Sequence, residues 1–147
     1  MSINRADGIR ADYSEINSWV IGGHSLGGAM AAEYAKNNFD SLDGLIMFAS
    51  YPANYQDFVD FPIPILTIIW SRDPGAVKQQ AFYDAISNSA SLFVIEGGNH
   101  RQFADYNFQR DDGVANDFSR GTARTILDFI RKTLKTSDNQ HPSLTIL

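Results

Sequence analysis

Residues 19–34 read WVIGGHSLGGAMAAEY, and the order of residue types in this stretch decides the architecture. Three apolar residues, Trp19, Val20 and Ile21, run into two glycines. The pentapeptide Gly23-His24-Ser25-Leu26-Gly27 follows, and then an alanine-rich segment of strong helix propensity. Such an order reads as strand, sharp turn and helix, with a serine at the apex of the turn. A turn this tight strains the serine backbone. Gly23 and Gly27 are expected where a Cβ would collide with the neighbouring chain. The strain holds the Ser25 hydroxyl clear of the main chain, and the helix starting at Leu26 aims its positive end at it. The Leu26 N–H is then placed to bind a developing oxyanion. A Gly-rich turn that only packs a helix on a sheet explains the glycines but not the serine between them. A phosphate-binding loop fits less well, because the Lys-Ser/Thr ending is absent and GGHSLGG does not match G-x-G-x-x-G.

Composition sets the outer bounds. A chain of 147 residues can hold one domain with its own core. Its 44% hydrophobic and 20% charged residues are ordinary for a globular protein. A net charge of −5 and the lack of any Lys/Arg cluster argue against nucleic acid as a partner. With no cysteine, disulfides, thiol catalysis and Cys-zinc sites are excluded. No apolar run is long enough to span a bilayer, and MSINRADGIR at the start has no signal-peptide core, so a cytoplasmic location and no membrane contact are expected. Residues 1–136 read as a single domain and residues 137–147 as a tail.

Working outward, helices are expected over Ile3–Ile16, Leu26–Asn38, Val77–Ser87 and Phe118–Leu134, the last with Ile126, Phe129, Ile130 and Leu134 as its apolar stripe. Strands are expected at Ser18–Gly22, Leu45–Ala49, Ile63–Trp70 and Ser91–Glu96. The run Ile63–Trp70 is apolar throughout, as befits a parallel strand covered on both faces. Strands alternating with helices predict an α/β fold, a parallel sheet with flanking helices in three layers. Ligands of such sheets bind outside the carboxyl ends of the strands. Ser25, Asp73 and His100 each follow a strand end.

The chain order serine, acid, histidine suits nucleophilic catalysis. A serine hydroxyl needs a base of near-neutral pKa, which imidazole supplies. The imidazole needs a carboxylate on its other nitrogen to fix its tautomer and stabilise the cation. His100 is the preferred base, since two glycines let its loop bend toward the turn. His24 adjoins Ser25, points elsewhere and reads as structural, and His141 lies in the tail. Asp73 is the preferred acid, with Asp57, Asp60 and Glu96 as rivals. Asp73 before Pro74-Gly75 also suits plain turn chemistry. Arg72 and Arg101 flank the site and read as surface arginines. Tyr51, Trp70 and Phe103 are candidates for lining a substrate pocket, as are Tyr55 and Phe58. The loops 54–61 and 101–117 are expected to select the substrate.

Four motifs now stand in order: GGHSLGGAMAA at 22–32, ASYPA at 49–53, SRD at 71–73 and EGGNHRQFADY at 96–106. Through them the chain resembles the α/β-hydrolase superfamily, and more narrowly its small bacterial members of the dienelactone-hydrolase-like group, from about residue 4 to about residue 134. The resemblance implies Ser25 as nucleophile, Asp73 as acid, His100 as base, an acyl-enzyme intermediate, a small-molecule acyl substrate such as an ester or lactone, and no metal or organic cofactor. It does not separate hydrolase from acyltransferase. Similar proteins carry further strands before the one at Trp19–Ile21, so this chain reads as the C-terminal part of the fold. The loop that gives the second oxyanion N–H belongs to that earlier part. An alternative expectation is therefore a non-catalytic module acting in binding or assembly, or one inactive without a partner segment. The unpaired strand Trp19–Ile21 is expected to be an exposed apolar edge that drives self-association.

Overall fold

Four short apolar runs become strands and pair side by side. The computed structural model describes residues 5–86, 90–103, 114 and 121–134. Its strands are β1 (Val20–His24), β2 (Gly44–Phe48), β3 (Ile65–Trp70) and β4 (Ala90–Ile95). Every pairing is parallel and the sheet order is that of the chain, β1-β2-β3-β4. Helices α1 (Arg5–Asp12), α2 (Leu26–Asn38), α3 (Ala76–Ile86) and α4 (Gly121–Leu134) surround it. Short 3-10 turns occupy Phe39–Ser41, Tyr55–Phe58 and His100–Phe103.

The period-two alternation of strand side chains divides the apolar residues between two faces. Ile21, Leu45, Met47 and Ile65 pack with Ala31, Ala32 and Ala35 of α2 and with Phe82 and Ile86 of α3. Val20, Ile46, Phe48, Leu66, Ile68 and Trp70 pack on the other side with Ile130 of α4, flanked by Ile126 and Phe129. Both inner strands are buried along their whole length, which explains why they contain almost no polar residue. α4 lies close on β2, since a Cβ on Gly44 would come within 3.2 Å of Thr133 Cγ2. This is a three-layer α/β arrangement, as expected.

Several boundaries differ from the reading of the sequence. α1 ends at Asp12, and its Ile9 carbonyl then accepts from Tyr13 N–H at 3.2 Å as the chain turns toward Ile16. β3 starts at Ile65, after Pro64, which has no N–H to extend a ladder. β1 starts later than expected but runs on through His24 into the turn. Residues 118–120, most of the loop 101–117 and the tail 137–147 lie outside the described residues.

The edge strand also differs. β1 pairs with β2 alone among the described residues. Yet Trp19, Val20 and Ile21 keep only 5%, 7% and 6% of their exposure. Trp19 is tied down twice, its indole N–H donating to Ile16 O at 3.0 Å and its backbone N–H to Asp43 Oδ2 at 2.7 Å. These three residues are thus buried, while Gly22–His24 are half-buried, and the outer edge of β1 has no strand partner among the described residues. No helix among the described residues is long and apolar enough to cross a membrane.

Candidate active site

The β1–α2 turn is as strained as its sequence suggests. Ser25 adopts φ 54° and ψ −125°, a conformation of order 1–3 kcal/mol above the ordinary regions for a residue with a Cβ. Its backbone is held on both sides. Ser25 N–H donates to Phe48 O at 3.0 Å, extending the β1–β2 ladder. Ser25 O accepts from Gly28 N–H at 3.0 Å, from Ala29 N–H at 3.2 Å and from the Ser50 hydroxyl at 2.6 Å. A Cβ on Gly23 would strike the backbone of Gly27 and come within 2.7 Å of Gly28 N. Gly27 is a correction: a Cβ there meets nothing within 4 Å. The intolerant position is Gly28, where a Cβ would lie 2.5 Å from Ser50 Cβ and 2.6 Å from Gly23 O.

Leu26 opens α2, and its side chain is 70% exposed. The first helical bonds come from Gly28 and Ala29, which leaves the Leu26 N–H outside the intrahelical ladder, where a ligand oxygen can take it up.

Asp73 and His100 meet beyond the ends of β3 and β4. Asp73 Oδ2 lies 2.5 Å from His100 Nδ1, and the Asp73 side chain is almost wholly buried. Its other oxygen, Oδ1, accepts from Gly75 N–H at 2.5 Å, and the Gln79 side chain adds a further hydrogen bond. Burial pushes the Asp73 carboxyl up, but the bonds from His100, Gly75 and Gln79 outweigh it and hold the group below the ordinary aspartate value. The two loops are laced together. Ser71 N–H donates to Ile95 O at 3.1 Å, Arg72 N–H to Gly98 O at 2.9 Å and Gly97 N–H to Ser71 Oγ at 2.9 Å. Gly97 has φ 75°, and a Cβ on Gly98 would run into the Trp70 ring, so both glycines ahead of His100 are needed.

His24 is closer to the chemistry than its sequence position implies. Its ring centroid is 4.5 Å from that of His100, and its side chain hydrogen-bonds the His100 backbone. Burial, and then the neighbouring His100, lower its pKa and favour the neutral ring.

Ser25, Leu26, Tyr51, Asp73, Gln79 and His100 line one cleft of about 700 Å³, with Ala29, Ala49 and Ala53 giving it a small-residue wall. Tyr51 therefore lines the cleft as expected. Trp70 does not: it is 1% exposed and packs in the core on the α4 side, with its ring edge toward His24 at 6.3 Å. A strand-end aromatic points to one face or the other, and here it points into the core. The Phe103 side chain lies outside the described residues. The rival acids are elsewhere. Asp57 bonds Lys36 at 3.4 Å and Asn54 at 2.8 Å, while Asp60 and Glu96 are exposed, and none of the three lines the cleft. The Arg72 guanidinium donates to Val114 O. Sequence reasoning missed Ser50, Gly28 and Gln79. Their only sequence signals were a glycine doublet, a polar residue after an apolar strand and a glutamine in an amphipathic helix. No group of three or more His, Asp or Glu side chains gathers as a metal site among the described residues.

A strained serine at the first strand end, an Asp–His pair at the third and fourth, and a parallel sheet beneath them define an α/β-hydrolase type of fold. The profile of the Alpha/beta hydrolase family matches residues 1–122, and the chain belongs to that family. No curated protein sequence matches the chain. Solved structures share the fold, including these two. One is a predicted CIB-like hydrolase from Thermoplasma acidophilum, at TM-score 0.65 and 21% identity over 89% of this chain. The other comes from carboxylesterases of the ammonia-oxidizing thaumarchaeon Nitrososphaera gargenis, at TM-score 0.69 and 12% identity over 91% of this chain. The chain spans 60% of the length of the first and 72% of the second.

Proposed function

We propose that this chain carries a serine hydrolase site for carboxylic ester-like or lactone bonds. The observation that supports it most is the Asp73–His100 pair at 2.5 Å, opening with the strained Ser25 onto a single cleft. Ser25 Oγ attacks the carbonyl carbon while the His100 ring nitrogen not held by Asp73 takes its proton. The bond from the carbonyl carbon to the leaving oxygen breaks, and the imidazolium returns the proton to that oxygen. An acyl-serine remains. Water, deprotonated by His100, then cleaves it to the free acid and restores Ser25. Asp73 keeps the His100 tautomer fixed and stabilises the imidazolium. The Leu26 N–H steadies the oxyanion in both halves. The narrower kinship with dienelactone-hydrolase-like enzymes rests on the motif string alone.

A second reading is favoured by one observation. Among the described residues no strand lies outside β1, and the loop that donates the second oxyanion N–H in such folds follows a strand at that place. Loss of one such donor costs about 10²–10³ in turnover. On this reading the chain is a binding or assembly module, and the edge of β1 at Gly22–His24 pairs with a second copy. Light scattering decides the association: a monomer at high concentration removes it.

The site itself is tested with a fluorophosphonate probe and intact-mass detection. The expected outcome is one adduct, lost in Ser25→Ala and nearly lost in His100→Gln. A folded chain that takes up no probe would sink the catalytic reading.

A further inference from the structure

Gln79 stands out among the residues that the proposed reaction does not use. It sits in the second turn of α3, is 1% exposed, and lines the cleft beside Asp73 and Gly75. A fully buried glutamine on a helix is costly unless its amide is satisfied. Its side chain bonds the Asp73 carboxylate. The amide nitrogen and the acid border the same point beside Gly75, where an added Cβ would lie 2.9 Å from Gln79 Nε2 and 3.0 Å from Asp73 Oδ1. Chemistry fixes this orientation, since a carboxylate accepts and only the nitrogen of an amide donates. The cost of holding it shows at the other end, where Gln79 Oε1 is buried with no hydrogen-bond partner among the described residues. Its neighbour Gln80 makes the contrast, reaching the helix surface to bond Asp84 at 2.8 Å.

We propose that Gln79 is a positioning residue: it clamps the Asp73 carboxylate so that one oxygen stays aimed at His100, and it limits how strongly that carboxylate pulls on the imidazole proton. The role rests on the Ser25–His100–Asp73 reading above. Two donors, Gly75 N–H and the Gln79 amide, serve the carboxylate besides His100. The Gly75 bond comes from a local turn and survives any side-chain change. The Gln79 bond spans the first turn of α3 and ties the acid to the body of the helix. Each donor draws charge from the carboxylate and lowers its basicity. Removing the amide makes Asp73 a stronger partner for the His100 imidazolium, so His100 stays protonated to higher pH. A protonated base cannot accept the Ser25 proton. The other groups facing this pair are His24 from β1, held neutral by burial, and the flanking arginines, Arg72 on Val114 O and the half-buried Arg101. Lys78 on α3 holds its ammonium 5.8 Å from the ring centroid of Tyr51, which lines the same cleft.

The test is an NMR titration of the His100 ring in the wild type, Gln79→Leu and Gln79→Met, assigned by comparison with His100→Gln, with circular dichroism to show that the variants fold. Methionine keeps the length and volume of glutamine without its donor, which guards against a cavity in the leucine variant. The His100 midpoint is expected to rise by about one pH unit in both, the usual scale for one hydrogen bond to a charged group. The rate of fluorophosphonate labelling should move its acid limb the same way. An unchanged midpoint in folded variants overturns the clamp, even if Ser25 labels normally. Failure of the wild type to label overturns the triad reading instead, while the titration still decides the role of Gln79.

Discussion

Gly27 and Gly28 are adjacent in sequence and in the first turn of α2, yet they should respond oppositely to alanine. A glycine in a helix costs up to about 1 kcal/mol against alanine through backbone entropy. At Gly27 an added Cβ meets nothing within 4 Å, so Gly27→Ala should gain most of that amount. At Gly28 the same Cβ would lie 2.5 Å from Ser50 Cβ and 2.6 Å from Gly23 O. Neither atom can retreat: Gly23 is in β1, and Ser50 is 3% exposed and bonded to Ser25 O. Overpacking of this kind costs about 1–3 kcal/mol, and two anchored neighbours put it at the upper end. After the propensity gain, Gly28→Ala should lose about 2 kcal/mol net. The two variants should then differ by about 3 kcal/mol, or on the order of 10 °C in melting temperature for a chain of this size. Urea unfolding and calorimetry of both, beside the wild type, measure it. A Gly27→Ala protein that loses 1 kcal/mol or more, or a Gly28→Ala protein as stable as the wild type, would refute the geometry of the turn.

Other outcomes follow from the same contacts. Ser50→Ala removes a buried hydroxyl that bonds Ser25 O at 2.6 Å, a carbonyl that keeps two backbone donors, so it should cost about 0.5–1.5 kcal/mol by chemical denaturation and slow probe labelling several-fold. His24 has a folded pKa below its ordinary 6.5, so its contribution to stability is complete above that value and is lost as pH falls through it. The denaturation midpoint should therefore start to fall as the pH drops below about 6.5, and less steeply in His24→Asn. Asp73 behaves alike in a lower window, its depressed pKa giving stability that is present above the ordinary 3.8 and lost in more acid solution. Trp70→Ala, in the core rather than the cleft, should cost about 3–5 kcal/mol in urea titration.

The strands were readable because each is a run of apolar residues ended by glycine, proline or aspartate, and their number and parallel order follow from the helices between them. That Asp73 and His100 come together near the strained Ser25 turn was legible because each lies in the loop that follows such a run. What the sequence hid depends on distant neighbours. Gly27 and Gly28 look alike in the sequence, since one of the obstacles at Gly28, Ser50, lies far along the chain on the next strand end and the other, Gly23 O, comes close only once the turn is formed. Trp70 shares its phase with Leu66 and Ile68, but the pattern does not say which face of the sheet meets the cleft and which meets α4. Gln79 and Gln80 look equivalent, yet the first is buried and the second bonds Asp84 on the exposed side of the helix.

One feature of the sheet has a bearing on how the molecule could come apart. Asp73 and His100 ride on β3 and β4, which are joined from Ile65↔Ala90 to Trp70↔Ile95 and laced again beyond the strands. Ser25 rides on β1, which is joined to β2. Within the sheet, the strand pair that carries Ser25 and the pair that carries Asp73 and His100 meet at a seam, the pairing of β2 with β3, from Leu45↔Ile65 to Phe48↔Ile68. A slip of two residues along that seam would keep every side chain on its proper face. It would also shift Ser25 by about 6–7 Å relative to His100, with the Asp73–His100 pair still whole. The β2–β3 register is the middle one of three in series that together keep the serine and the histidine in the same workshop.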